Sequence, residues 1–245
     1  MTRTTMKDKR NDDRYIKTFM TSGNAKLMDY TDPESGIAYK YAMFNLRAKT
    51  TCPFRSRDCE RFCYAKRDER YPQARANRDG NLTASKRSDF VQRMIYTIET
   101  ELSSRRYQGS VMILRIHESG DFYNQKYLND WIDIMAHFAT APIIFQFYTK
   151  SFKYFLELNH GRKAILNVLM EKGVVSGSLS SDISTTKEQH GRIAELMTSF
   201  PKFNQYIALK DISMIHYSEK CDCANCAKCG TCIHASGKVV AVEIH

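Results

Sequence analysis

Between residues 37 and 244 the chain repeats one alternation: a short apolar run, then a longer stretch with apolar residues at helical spacing. IAYKYAMFNL (37–46), SVMILRI (110–116), PIIFQFY (142–148), VVSGSLS (174–180), QYIALK (205–210) and KVVAVEI (238–244) are six strand-like runs. They are too short for buried helices and rich in residues that suit a pleated surface. Between them, SDFVQRMIYTIETELSSRR (88–106) sets Phe90, Met94, Ile95, Ile98 and Leu102 on one helical face, with Ser88 or Asp89 as its cap. KYLNDWIDIMAHF (126–138) repeats the pattern with Tyr127, Leu128, Trp131, Ile134, Met135 and Phe138. FKYFLELNHGRKAILNVLMEKG (152–173) reads as helix with a break near Asn159 to Gly161 and a stop at Gly173, and TTKEQHGRIAELMTSF (185–200) follows.

Strands alternating with helices of this length imply βαβ crossovers and a parallel sheet, so the expected class is α/β. In such sheets the chemistry gathers beyond the C-terminal ends of the strands. A first cysteine group (52–63), HESGD (117–121), YTKS (148–151), SGSLSS (176–181) and a terminal cysteine run all follow or end strands, and are expected to converge on one mouth. The expected organisation is a flexible or loosely docked polar arm over residues 1–20, then a single domain over 21–245 that includes the cysteine cluster 221–232.

The N-terminal MTRTTMKDKRNDDRY has no apolar stretch behind it, and no window approaches the roughly 18 apolar residues of a membrane helix. A cytoplasmic protein with no membrane partner is expected. In that reducing compartment clustered cysteines read as metal ligands rather than disulfides. The net charge is +10 and unevenly spread: Arg47 to Arg93 holds thirteen Lys or Arg against six acids, while 111–245 is near balance. That field suits phosphate backbones, or offsets an anionic thiolate centre, or is a solvated face. Phe54, Phe62, Tyr64 and Tyr71 interleave with its arginines, a composition compatible with base stacking or with packing under a loop.

Five of the eight cysteines lie in CDCANCAKCGTC (221–232), where Cys223, Cys226, Cys229 and Cys232 are spaced C-x2-C-x2-C-x2-C. This is close to the run that wraps an iron–sulfur cubane in bacterial ferredoxins. Structural zinc more often uses two separated pairs. Cys221, Cys232 or His234 is the candidate fourth ligand. The first group, Cys52, Cys59 and Cys63, offers three thiolates and so leaves one metal position open to a substrate or cofactor; zinc completed by a remote ligand such as His117 is the alternative. His117, Glu118 and Asp121 form a polar cluster at a strand end, suited to positioning a substrate or to closing the barrel as a hydrogen-bonded layer. Lys150 is a cation for a carboxylate or phosphate, or a surface ion-pair partner. The hydroxyls of Ser176 and Ser178 permit close approach of a ligand, or pack a tight loop. GxxxxGK[ST], GxGxxG after a strand, HExxH and GxSxG are absent, which argues against nucleotide hydrolysis and classical serine chemistry.

TSGNAKL (21–27), FNLRAKTTCPFRSRDCERFCYAKR (44–67), ANRDGN (76–81), RIHESGDFYNQKY (115–127), YTKS and the terminal run before His245 together resemble the bacteriophage gene-product-88 type domain. More distantly, the arrangement is similar to the radical S-adenosylmethionine enzymes, a likeness that implies a partial (β/α)6 barrel with three cysteines after the first strand. It also implies a [4Fe–4S] cluster on Cys52, Cys59 and Cys63, an auxiliary one on the terminal group, and a reductant such as host flavodoxin or ferredoxin. By the same likeness Phe62, just before Cys63, matches the aromatic position that superfamily places beside its last cysteine and is a cofactor-binding candidate, and Ser119, Gly120 and Asp121 stand where it binds the cofactor's amine. The C-x6-C-x3-C spacing differs from the superfamily's C-x3-C-x2-C, and Asp121 replaces a glutamate. The implied activity is radical chemistry on an unknown substrate, with a nucleic acid or nucleotide suggested by charge. The alternative is a non-catalytic zinc protein that binds nucleic acid or a host factor.

Overall fold

The computed structural model describes residues 5–21, 27–209, 219–220, 232–234 and 236–243, with the side chains of Glu219, Lys220 and Glu243 left aside. Cys221, Cys223, Cys226 and Cys229 lie outside the described residues, as do 22–26 of the TSGNAKL segment and His245. The strands are β1 (Tyr30–Thr31), β2 (Ala38–Phe44), β3 (Ser110–Ile116), β4 (Ile143–Thr149), β5 (Val175–Asp182), β6 (Asn204–Leu209), β7 (Glu219–Lys220) and β8 (Val239–Glu243). The helices are α1 (Met6–Asn11), α2 (Arg57–Arg61), α3 (Tyr64–Asp68), α4 (Pro72–Ser85), α5 (Phe90–Leu102), α6 (Gln125–His137), α7 (Phe152–Leu156), α8 (His160–Glu171) and α9 (Lys187–Ser199).

The sheet order is β1-β2-β3-β4-β5-β6-β8-β7, with β1 antiparallel to β2 and every other pairing parallel. Because β2 to β6 are laid down in chain order, successive crossovers step the same way, which is the winding of a barrel rather than of a doubly wound sheet. The result is a mixed α/β fold around a curled half-barrel sheet.

Alternation along each strand separates two faces. Ala42 and Phe44, Met112 and Leu114, Phe145 and Phe147, and Val175 and Leu179 join the main core, which α5, α6, α8 and α9 complete. Trp131 sits at its centre, edge-on to Phe44 at 5.5 Å and to Phe90 at 5.9 Å. Gly177 is needed here, because a Cβ would come within 2.2 Å of Phe203 and 2.7 Å of Phe147. The opposite, concave face carries a smaller cluster of Tyr41, Met43, Ile113 and Ile144, closed by Leu27 and Ile233. Above it the face turns polar: Arg115, Gln146 and Ser176 share one register row, and Tyr148, Ser178 and Asn204 the next.

The helix starts are chemically marked. Thr186 and Gln189 form a reciprocal capping box on α9, and Asn124 and Asn159 cap α6 and α8. The break expected near Asn159 separates α7 from α8, and Gly173 ends α8 at φ 72°.

Of residues 1–20, expected as a flexible or loosely docked arm, 5–20 are packed against the body. The capping box of Thr5 and Asp8 starts α1, Ile16 and Phe19 enter the main core, and Arg10 donates two hydrogen bonds, 2.8 and 2.7 Å, to the buried Glu101. The Tyr15 hydroxyl donates to the same carboxylate at 2.7 Å. A fully buried carboxylate needs such partners, so Arg10 and Tyr15 tie the segment to α5 while most of its other charged residues stay at the surface. Glu101→Ala is expected to lower stability by about 2–3 kcal/mol, the range for unpairing buried charged hydrogen bonds, and to expose residues 5–21 to protease before the body. Chemical denaturation with limited proteolysis checks both.

Candidate functional site

The cysteine-bearing segment leaves β2 and crosses the C-terminal ends of β3, β4 and β5. Cys52 lies in the turn before α2, Cys59 within α2, and Cys63 caps α3. Two acids fix this path. Asp182, at the end of β5, accepts a short hydrogen bond from the Ser56 hydroxyl, and Ser56 in turn accepts from the Cys59 amide at 3.2 Å as the cap of α2. Asp182 also pairs with Lys150 Nζ at 2.9 Å, with both side chains nearly excluded from water. Ser184 adds a hydrogen bond to Asp182 Oδ1 at 2.8 Å, and its own oxygen accepts from the Asp58 amide at 2.8 Å. Burial alone would raise the Asp182 carboxyl, but the Ser56 hydrogen bond and the Lys150 charge hold it below its ordinary value.

Asp121 is the second anchor. Oδ1 accepts from the Phe122 amide and the Thr149 hydroxyl, each at 2.7 Å, and Oδ2 from the Lys150 amide at 2.9 Å. It is fully buried, and burial pushes its pKa up to about 6 against these hydrogen bonds. Neighbouring Ser119 donates to the Leu46 carbonyl at 2.8 Å. Gly120, at φ 94°, has no room for a side chain, since a Cβ would lie 2.7 Å from both Leu46 Cβ and Thr51 Oγ1. The Ser119-Gly120-Asp121 segment therefore joins the ends of β3 and β4 to the start of the cysteine segment, and its polar atoms are engaged in that joint.

The three thiols share one electrostatic neighbourhood. Burial raises Cys52 to about 12, with Asp121, Cys59 and Cys63 adding to the rise. Burial also raises Cys59, Lys150 opposes it, and Cys63, Asp182 and Asp121 add to it. Among the described residues no three His, Cys, Asp or Glu side chains are grouped so that they could hold a single metal ion. The three thiols thus influence one another electrostatically at the mouth without forming such a group.

The other sequence candidates divide between this mouth and the fold. Lys150 is at the mouth, paired with Asp182 and within electrostatic reach of Cys59. Glu118 is at its rim: its amide donates to Asn45 Oδ1 at 2.8 Å, its Oε2 accepts from Asn45 Nδ2 at 3.2 Å, and its carbonyl accepts from the Tyr64 hydroxyl at 2.7 Å. His117 is not at the mouth. Alternation would point it the same way as Arg115, but β3 ends at Ile116 and His117 takes φ 64°, which turns its ring into the core. There it packs edge-on to Phe122 and shares a 2.8 Å hydrogen bond with the Tyr127 hydroxyl. Ser176 lies within β5 and donates to the Cys232 carbonyl at 3.0 Å, a carbonyl that also accepts from Gln146 at 2.9 Å. Ser178 is buried one step further along the same strand. Cys232, the one member of the terminal group among the described residues, is thereby held on the concave face beside Tyr148. Phe62 is 45% exposed, with the Arg61 guanidinium 5.1 Å from its ring centre.

Sequence reasoning missed Ser56 and Asp182, which carry the loop, and Arg115 as a partner of Tyr148, whose ring centre lies 3.9 Å from the guanidinium. Ser56 had a readable signal, standing three residues before Cys59 as an N-cap would.

Burial, and secondarily the Arg115 charge, depresses His117 to about 3. The unfolded chain takes up a proton near pH 6.5 that the native state refuses, so stability falls as pH drops from 6.5 towards 3, by about 1.4 kcal/mol per unit from this group. His117→Asn keeps a residue tolerant of positive φ. Its stability deficit relative to wild type is expected to shrink between pH 7 and 5, as measured by urea denaturation at each pH; comparing the two proteins cancels the opposite dependence of Asp121.

Among the described residues no helix is long and apolar enough to cross a membrane. No curated protein and no solved structure matches the chain significantly. The profile of one family, described as gene product 88, matches residues 14–235, a span that takes in the three-cysteine loop, the SGD joint and the terminal cysteine run and leaves α1 outside. The chain therefore belongs to the gene product 88 family.

Proposed function

We propose that Cys52, Cys59 and Cys63 hold an iron–sulfur cluster of [4Fe–4S] type, and that the protein is a phage-encoded cytoplasmic redox enzyme of radical S-adenosylmethionine type or ancestry. The observation that carries the reading is the common field of three thiols on a loop pinned across the ends of β4 and β5. A single zinc ion would gather its thiolates around one point at about 2.3 Å each, whereas each thiolate of a cubane binds a different iron and the sulfurs stand further apart. Three cysteines leave a structural zinc one protein ligand short of its usual four, whereas three thiolates can hold a cubane.

Such a cluster on Cys52, Cys59 and Cys63, once reduced by an external electron donor, would supply one electron for reductive cleavage of S-adenosylmethionine. The residues of the chain serve that centre in separate ways. Lys150 sets a positive charge against Cys59 and so favours its thiolate. Ser56 and Asp182 fix the turn that carries Cys59, and Asp121 fixes the loop opposite. Phe62, next to Cys63, stands exposed at the rim, and Arg115 lies on the concave wall against Tyr148. Cys221, Cys223, Cys226, Cys229 and Cys232 are assigned to an auxiliary cluster. Flavodoxin or ferredoxin of the host is the reductant in this reading.

Anaerobic purification should yield a brown protein with iron and acid-labile sulfide, and the EPR signal of the reduced protein should change on addition of S-adenosylmethionine. A cluster indifferent to that cofactor would leave an electron-transfer or redox-sensing protein. Stoichiometric zinc without sulfide would replace the proposal with a zinc-stabilised binding protein.

A further inference from the structure

The segment that carries the cysteines also carries the most basic part of the chain, and the structure sorts its charges by direction. Residues 57–71 contain four acids. Glu60 pairs with Lys49 and Arg55, Asp68 with Arg78, and Glu69 with Arg47 and Arg78. Those partners lie outside the segment, on its flanks and on α4. Asp58 is the one acid of the segment with no ion pair among the described residues. The five cations of the same segment, Arg57, Arg61, Lys66, Arg67 and Arg70, are all exposed, and none has an ion-pair partner among the described residues. Three of the four acids are thus engaged by cations outside the segment, and the segment's own five cations are left facing solvent.

Aromatic rings stand among these cations. Phe62 is 45% exposed, Tyr64 49% and Tyr71 70%, an unusual degree for rings that composition would assign to packing. Phe54 behaves in the expected way, meeting Tyr154 edge-on at 5.2 Å, which makes the contrast local. Tyr64 is fixed by the hydrogen bond of its hydroxyl to Glu118, and Arg61 lies over the Phe62 ring.

We propose that the α2–α3 surface, from Arg57 to Tyr71, binds single-stranded nucleic acid along the rim of the mouth. Guanidinium groups match phosphate oxygens in pairs, and exposed rings between them offer faces on which unpaired bases stack. A duplex hides its base faces and would use only the charges. Single-stranded nucleic acid is thereby the partner of the cysteine site, and the iron–sulfur reading is needed only for chemistry after binding; the surface itself stands whichever metal the cysteines hold.

The test is fluorescence anisotropy with a labelled oligothymidylate and an oligouridylate, each about 15 nucleotides, and a hairpin duplex, between about 50 and 200 mM salt, on protein of measured metal content. Expected is binding that prefers single strands. Phe62→Ala with Tyr71→Ala should weaken single-strand binding about tenfold and leave duplex binding unchanged. Arg61→Gln with Arg70→Gln should weaken both and flatten the salt dependence, while the equal charge loss of Lys172→Gln with Lys187→Gln, just after α8 and at the start of α9, should change neither. Metal content is measured for every variant, and affinities are compared between preparations of equal content, so a failed metal assignment and a failed binding surface are told apart. No binding at the lowest salt, equal affinity for duplex, or indifference to the aromatic pair would overturn the proposal.

Discussion

The carboxylate of Asp182 holds together segments that lie far apart in the chain. It receives the Ser56 hydroxyl from the cysteine loop, the Lys150 ammonium from the end of β4, and the Ser184 hydroxyl from its own turn. Removing a buried charge from such an arrangement leaves the others unpaired, which costs more than the pair contributes. The loop cannot leave the sheet without exposing that penalty, so the position of Cys59 is set by the ends of β4 and β5 rather than by the loop's own short helices. Asp121 plays the same part on the other side, through Thr149 and the Lys150 amide. Lys150 is common to both, with its backbone held by one acid and its side chain by the other.

The winding of the sheet explains why these anchors meet. Strands β2 to β6 are neighbours in chain order, so each successive strand end brings one more chemical segment to the same rim. The SGD joint, YTKS and the end of β5 arrive in that order, and the cysteine loop spans them. Charge follows the same logic. Acids of the loop are taken up by Arg47, Arg55 and Arg78, and the remaining arginines face outward.

Much of this fold is legible in the sequence, because its strands are short apolar runs and its main helices have apolar stripes. The six strand runs match β2 to β6 and β8 within two residues, and the four helical stretches correspond to α5 to α9. Helix α4 is not legible by that signal. PQARANRDGNLTAS has no apolar stripe, and the helix buries Arg78, Asn81 and Ser85 instead, with Arg78 donating to the Ala65 carbonyl at 2.6 Å and Asn81 to the Asn45 carbonyl at 2.9 Å. The docking of the N-terminal segment is hidden for a related reason, since it turns on one ion pair, Arg10 with the buried Glu101, that polar composition does not reveal. The direction of His117 is not legible, because a single residue at positive φ just past the strand reverses the face that alternation would assign. At the site, the cysteine loop and Lys150 are visible as chemistry, whereas Ser56 and Asp182 become partners only through a contact spanning 126 residues.

The central claim is that the three-cysteine loop holds a cluster of its own. Replacing Cys221, Cys223, Cys226 and Cys229 with serine isolates that loop, and the Mössbauer spectrum of iron-57-labelled, anaerobically purified protein then reads it alone. An iron–sulfur spectrum with one iron distinct from the three thiolate-bound ones is the predicted result. Absence of iron, with Cys52, Cys59 and Cys63 free to react with a thiol reagent in the folded protein, would contradict it.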